Sequence, residues 1–168
     1  CDFPPLKVEI TKPAAKNTIF EGNRTLKLAS SCRPSRDEYE QYILQEYVLY
    51  RMYQALTPWS YRTRLAHVTY QDSTGKAKSV QSWAFFVEDD GDLAQRRNSR
   101  RFDTKGAYFD DVEHQQVGLM RLSAYMVGNT DWSVSGLHNV TLLRDSVGVV
   151  YSVPFDFELG LGAAGLGK

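Results

Sequence analysis

Three residues in the last third of the chain, Asp131, Asn139 and Asp156, carry side chains suited to hard cations. Each stands beside large apolar neighbours such as Trp132, Val140, Phe155 and Phe157. A carboxylate or amide left uncompensated in such surroundings is costly, so each needs a partner. Two carboxylates and an amide delivered by a helix end and two strands make a hard-oxygen site. Sites of this kind hold a magnesium ion that bridges phosphates.

Two charged residues upstream fit the same chemistry. Lys27 lies on a predicted strand, on the opposite face from Leu26 and Leu28. Glu46 falls in the apolar stripe of a predicted helix. An inward glutamate needs a cationic partner or a raised pKa, and Lys27 is the obvious partner. A strand lysine held by a helix glutamate positions nucleotide phosphates. The alternative is that Glu46 lies at the edge of the stripe and reaches solvent.

The elements that must position these residues follow from periodicity. Lys7 to Ile10 and Thr25 to Ser30 alternate apolar and polar residues and read as strands, with Glu21-Gly22-Asn23 compatible with a hairpin turn. Arg36 to Leu56 has helical spacing. Tyr39, Tyr42, Ile43, Leu49, Tyr50, Tyr53 and Leu56 form its apolar stripe, Asp37 can cap its start and Pro58 ends it. Tyr61 to Asp72 and Val80 to Asp89 are two more strands. The second is almost continuously apolar, so it belongs at the centre of a sheet. Glu88 closes that strand, and Asp89-Asp90-Gly91-Asp92 marks an abrupt polar switch.

A short helix is expected within Asp92 to Asn98 and a loop over Ser99 to Asp111. Val112 to Val127 returns to helical spacing, with Val117, Met120, Ala124 and Val127 inward and Leu119, Leu122 and Met126 widening the stripe; Gly128 is its C-cap. Val140 to Leu143 and Val147 to Val153 form a strand hairpin, so Asp131, Asn139 and Asp156 flank one hairpin and converge.

Composition sets the frame. The chain has 168 residues, a hydrophobic fraction of 42% and equal numbers of acidic and basic residues, twenty of each. That is one domain of ordinary size with material for a sizeable core. Zero net charge argues against nucleic acid or an anionic membrane as the main partner. The basic run Arg96-Arg97 and Arg100-Arg101 reads as a solvated loop. No apolar stretch reaches the ~18 residues of a membrane span. Cys1 and Cys32 either form a disulfide in an oxidising compartment or remain free thiols, and a secreted or cell-envelope location would follow from the former. The three histidines have no zinc spacing with cysteine. His67 and His114 read as surface or core-edge residues, and His138 as structural or as a neighbour of the site. The glycine-rich segment Leu159 to Gly167 and the non-Met start read as those of a fragment.

Gly128-Asn129-Thr130-Asp131 and Pro154-Phe155-Asp156-Phe157-Glu158 resemble the catalytic loop and metal motif of atypical protein-kinase-like families. The likeness is above all to the spore-coat-protein-H (CotH) type, and the Gly-Asn-x-Asp loop is also similar to that of HipA-like kinases. Phe20-Glu21-Gly22, Leu26-Lys27-Leu28, Tyr61-Arg62-Thr63-Arg64-Leu65 and Val68-Thr69-Tyr70 resemble the amino-terminal lobe of CotH-like proteins.

The resemblance implies an α+β, protein-kinase-like fold. An antiparallel small lobe with a packed helix would span residues 1–90, and part of a second lobe 91–168. It implies phosphoryl transfer from ATP with Mg²⁺ to a hydroxyl of a protein serine or threonine or of a small molecule. Asp131 would orient or deprotonate that hydroxyl. Asn139 and Asp156 would bind magnesium, Lys27 would contact the phosphates and Glu46 would hold Lys27. The strand end at Glu88 would be the hinge that reads the nucleotide. The chain departs from ordinary kinases in the longer spacing from Asp131 to Asn139, in Glu158 where Asp is commoner, and in the lack of a glycine-rich loop. The rivals are a pseudokinase, a surface domain whose acidic cluster binds calcium or nothing, and a hydrolase built on Asp131 and Asp156.

Overall fold

The computed structural model describes residues 6–22, 25–31, 33, 37–76 and 78–157. Cys1, Cys32, Glu158 and the glycine-rich tail lie outside the described residues. The fold is α+β with two antiparallel sheets.

The first sheet holds β1 (Leu6–Glu9), β2 (Thr25–Ser30), β3 (Thr63–Tyr70) and β4 (Val80–Glu88) in the order β1-β2-β4-β3. The apolar β4 takes an inner position, as its composition requires. The connection from β1 to β2 is longer than a tight hairpin and contains a short helix, α1 (Lys12–Ala15), that the turn signal at Gly22 did not reveal. Register decides the faces. Lys27 is opposite Val87 and Ala29 opposite Phe85, whereas Leu26 and Leu28 are opposite Glu88 and Phe86. Directly paired residues share a face, so Lys27 and Ala29 lie on one side with Val87 and Phe85.

Helix α2 (Asp37–Leu56) covers that same side. Tyr47 and Tyr50 pack on Phe85, with ring centroids 5.8 and 5.5 Å apart. Ile43, Leu49, Tyr50 and Tyr53 are buried. Tyr39 and Tyr42 are only half-buried, and Leu56 is exposed.

The second sheet, in the order β5-β6-β7, consists of β5 (Ser99–Arg101), β6 (Val140–Asp145) and β7 (Val150–Pro154). Ahead of it stands α3 (Asp90–Arg96), capped by the Asp89 carboxylate, which accepts from the Gly91 N–H. The segment expected to be a loop over Ser99 to Asp111 contains β5 and a 3₁₀ turn at Phe109–Asp111. Helix α4 (His114–Val127) begins where Glu113 accepts from the Gln115 and Gln116 N–H groups, and ends at Gly128, whose φ of 70° is left-handed. Its buried stripe is narrow: Gln116, Val117, Met120 and Ala124. Leu122 and Met126 are exposed, contrary to the wider stripe that their spacing suggests.

One core joins the two sheets. Phe157 sits edge-on to Tyr50, with centroids 4.8 Å apart, and near Tyr53. Leu142, Leu143 and Val153 are fully enclosed in the same cluster as Phe85. A buried amide ties the halves together. Gln116 Nε2 donates to Tyr53 Oη (2.8 Å) and to Ser152 O (3.1 Å), while its Oε1 accepts from Thr57 Oγ1 (2.8 Å).

Candidate functional site

The end of the β6–β7 hairpin creates the site. Val140 pairs with Pro154, and the Phe155 N–H donates to Asn139 O at 3.0 Å. Asn139 and Asp156 are therefore held next to the last rung of the ladder. Both have left-handed backbones, φ 51° and 59°. A single non-glycine residue in this region costs of order 1 kcal/mol and clusters at functional positions.

Asp131 reaches the same place from the loop after α4. Its N–H donates to Oδ1 of the buried Asn129 at 3.0 Å. Asn139 Nδ2 donates to Asp131 O (2.9 Å) and Oδ2 (3.2 Å). These bonds orient the Asn139 amide, and its Oδ1 is the atom left to meet a cation. Of the three predicted hard-oxygen residues, the structure bonds Asp131 to Asn139 and places Asp156 just beyond Asn139's strand partner. Among the described residues, no three His, Cys, Asp or Glu side chains are grouped to hold a metal. The candidate donors are the Asn139 amide oxygen and the carboxylates of Asp131 and Asp156. Magnesium, which keeps several waters and takes one or two carboxylates plus phosphate oxygens, suits that set.

Lys27 and Glu46 arrive from the first sheet and α2. Lys27 Nζ lies 5.9 Å from the centroid of the Phe155 ring, next to Asp156. Its ion pair, at 2.9 Å, is with Asp90 Oδ1. Glu46 is half-buried one helical turn before Tyr50. Burial pushes the Tyr50 hydroxyl well above its usual pKa, and the Glu46 and Asp156 carboxylates add to the effect. Tyr50 Oη also accepts from the Asp156 N–H at 2.9 Å. Tyr50 is thus the residue whose hydroxyl feels both carboxylates.

Glu88 is 5% exposed, and its carboxylate is committed to Arg96 (2.8 Å to Nε and to Nη2) and to the Arg62 N–H (3.0 Å). The basic run expected to be a solvated loop is divided between α3 and β5: Arg96 is mostly buried against Glu88 and donates to Ser60 O, whereas Arg100 and Arg101 are exposed. The neighbouring Arg97 guanidinium covers Trp59 at 4.6 Å.

Sequence reasoning missed the carboxylate that Lys27 meets. Asp90, the first residue of α3, is bonded to Lys27, to Arg101 (3.2 Å) and to Tyr61 Oη (3.0 Å). Tyr61 Oη also lies 2.7 Å from Thr141 Oγ1; with its one proton given to the Asp90 carboxylate, it accepts from the Thr141 hydroxyl. Burial alone would raise the Asp90 carboxyl, but the bond and charge of Lys27, the Tyr61 hydroxyl and Arg101 hold it below the usual carboxylate value. The acidic run Asp89-Asp90-Gly91-Asp92 marks the start of α3, which Asp89 caps, but nothing local to it names the partners of Asp90.

No helix among the described residues is long and apolar enough to cross a membrane. Comparison with family models, with curated proteins and with solved structures gives no match for this chain.

Proposed function

We propose that this domain is an atypical kinase-like phosphotransferase that uses ATP and Mg²⁺ to phosphorylate a hydroxyl, that of a protein serine or threonine or of a small molecule. The observation that carries the reading is the Asp131–Asn139 contact beside a left-handed Asp156, at the hairpin end that faces Lys27. Support also comes from the sheet: its lysine lies on the face covered by α2, the helix that bears Glu46.

Asn139 and Asp156 would hold the metal, which neutralises charge on the phosphates when bound. Lys27 supplies a second positive charge to the phosphates once it leaves Asp90. Asp131 orients the acceptor hydroxyl and takes its proton as the new O–P bond forms and the bond to the nucleoside diphosphate breaks. Such transfer depends on positioning and charge neutralisation, which these few groups can provide.

A second reading, nucleotide binding without turnover, is favoured by one observation: Lys27 is engaged by Asp90. Thermal unfolding of the full chain with ATP, with Mg²⁺ and with both tests the proposal. A stabilisation that needs both supports the site. No shift in folded protein refutes it, and a shift without ATP consumption selects the second reading.

A further inference from the structure

The loop between Asp131 and Asn139 is more tightly built than the placement of Asn139 requires. Ser133 and His138 exchange two backbone bonds, of 2.9 and 3.0 Å, closing the chain between them into a turn. Inside it, the Gly136 N–H donates to Ser133 Oγ at 2.9 Å, and a Cβ at position 136 would lie 3.0 Å from that oxygen. Val134 anchors the turn in the core. Leu137 adopts φ 53°, so His138 stands between two left-handed non-glycine residues. That arrangement is costly and aims one side chain. His138 Nε2 is 2.7 Å from Asp131 Oδ1.

Asp131 therefore has a donor on each carboxylate oxygen, His138 on Oδ1 and Asn139 on Oδ2, from consecutive residues. Its side chain is 40% exposed, so packing alone does not fix its rotation. Two donors at opposite oxygens do, and each oxygen keeps a lone pair for an incoming hydroxyl. We propose that His138 is a positioning residue for Asp131: its Nε2–H donates to Oδ1 and holds the carboxylate in the plane in which it meets the acceptor. The inference rests on the phosphotransferase reading of Asp131. It gives the longer spacing between Asp131 and Asn139 a purpose, because the added residues deliver the imidazole.

The test uses the full chain, with Mg·ATP as the probe and phosphate release to water as the assay. His138→Ala is expected to bind Mg·ATP with unchanged KM, since its imidazole is bonded to Asp131, which acts on the acceptor, and to lose about 10²-fold in kcat. His138→Gln, whose side-chain amide can donate to Oδ1, should recover most of that loss. Imidazole ¹⁵N spectra of the wild type should show a proton on Nε2. Wild-type kcat in His138→Ala, or a ring protonated on Nδ1 alone, overturns the inference and leaves the phosphotransferase reading intact. Absence of Mg·ATP turnover in the wild type sinks that reading, and the inference with it.

Discussion

Lys27 Nζ is bonded to Asp90 Oδ1 at 2.9 Å, so the strand lysine of the first sheet is tied to the first residue of the helix that leads into the second. The lysine side chain is 50% exposed and the aspartate 17%. Asp90 is the more demanding partner, because its carboxylate is the one removed from water. Arg101 and Tyr61 complete its shell.

Replacing Asp90 by Asn removes a charge that three donors stabilise. We expect a loss of about 1–3 kcal/mol at neutral pH, in the range for a buried group whose partners go unmatched. The sign with pH follows from its lowered pKa. A carboxyl depressed by folding stabilises the protein above its unfolded value, near 4, and that contribution is lost as pH falls through the folded value. Urea unfolding from pH 7 down to 3 should show part of the acid-induced loss in the wild type and less of it in Asp90→Asn. Parallel curves for the two proteins would contradict the assignment.

Lys27→Met separates binding from stability. The half-exposed ammonium contributes little to folding, so the expected cost is under about 1 kcal/mol, with Asp90 still held by Arg101 and Tyr61. Nucleotide affinity should drop at least tenfold if Lys27 moves to the phosphates. Titration of Mg·ATP into the variant by calorimetry measures this, and unaltered affinity would remove Lys27 from the site.

The sequence exposed β4, α2, α4 and the β6–β7 hairpin because each has a long apolar run or stripe of the right period. It singled out Asp131, Asn139 and Asp156 as candidates because polar groups beside large apolar residues demand partners. Asp90 stayed hidden because its partners, Lys27, Tyr61 and Arg101, come from three other segments and leave no local pattern. Glu88 closes a strand at the expected nucleotide-reading hinge; that its carboxylate is a buried charge held by the Arg96 guanidinium of α3 had no local signal. The exposed Leu122 and Met126 fit a helical stripe, but the core beneath α4 is narrower than that stripe. Local periodicity tells which residues can share a face and not how wide the neighbouring surface is.

Asp156→Gly tests whether the left-handed position serves function at the expense of ease of folding. Glycine adopts φ 59° without the steric cost borne by aspartate, which offsets its greater entropy loss on folding. Stability should change by less than about 1 kcal/mol, while the Mg²⁺-dependent stabilisation by ATP disappears. The check is chemical unfolding of apo protein beside thermal shifts with Mg·ATP. A retained shift would show that Asp156 is no ligand.

Gln116 bridges the two halves, and its replacement by Leu should be among the most destabilising single changes. The change strips Tyr53 Oη, Thr57 Oγ1 and the Ser152 carbonyl of partners in a dry interior. Each unmatched buried group costs about 1–3 kcal/mol. The sum is a large part of the ~5–15 kcal/mol that holds a domain folded. Burial already pushes the Tyr53 hydroxyl far above its usual pKa, and the Gln116 bond opposes that push. A group whose folded pKa is raised contributes stability that is complete below its unfolded value, near 10, and fades as pH rises toward the folded value. Tyr50 and Tyr61 are raised in the same direction, again chiefly by burial. The wild type should therefore unfold in alkali, with these three tyrosines ionising together in the step that abolishes the folded circular dichroism. Gln116→Leu should undergo that step at lower pH, because it starts with less stability. Ionisation of all ten tyrosines near pH 10 in protein that remains folded would be incompatible with this core.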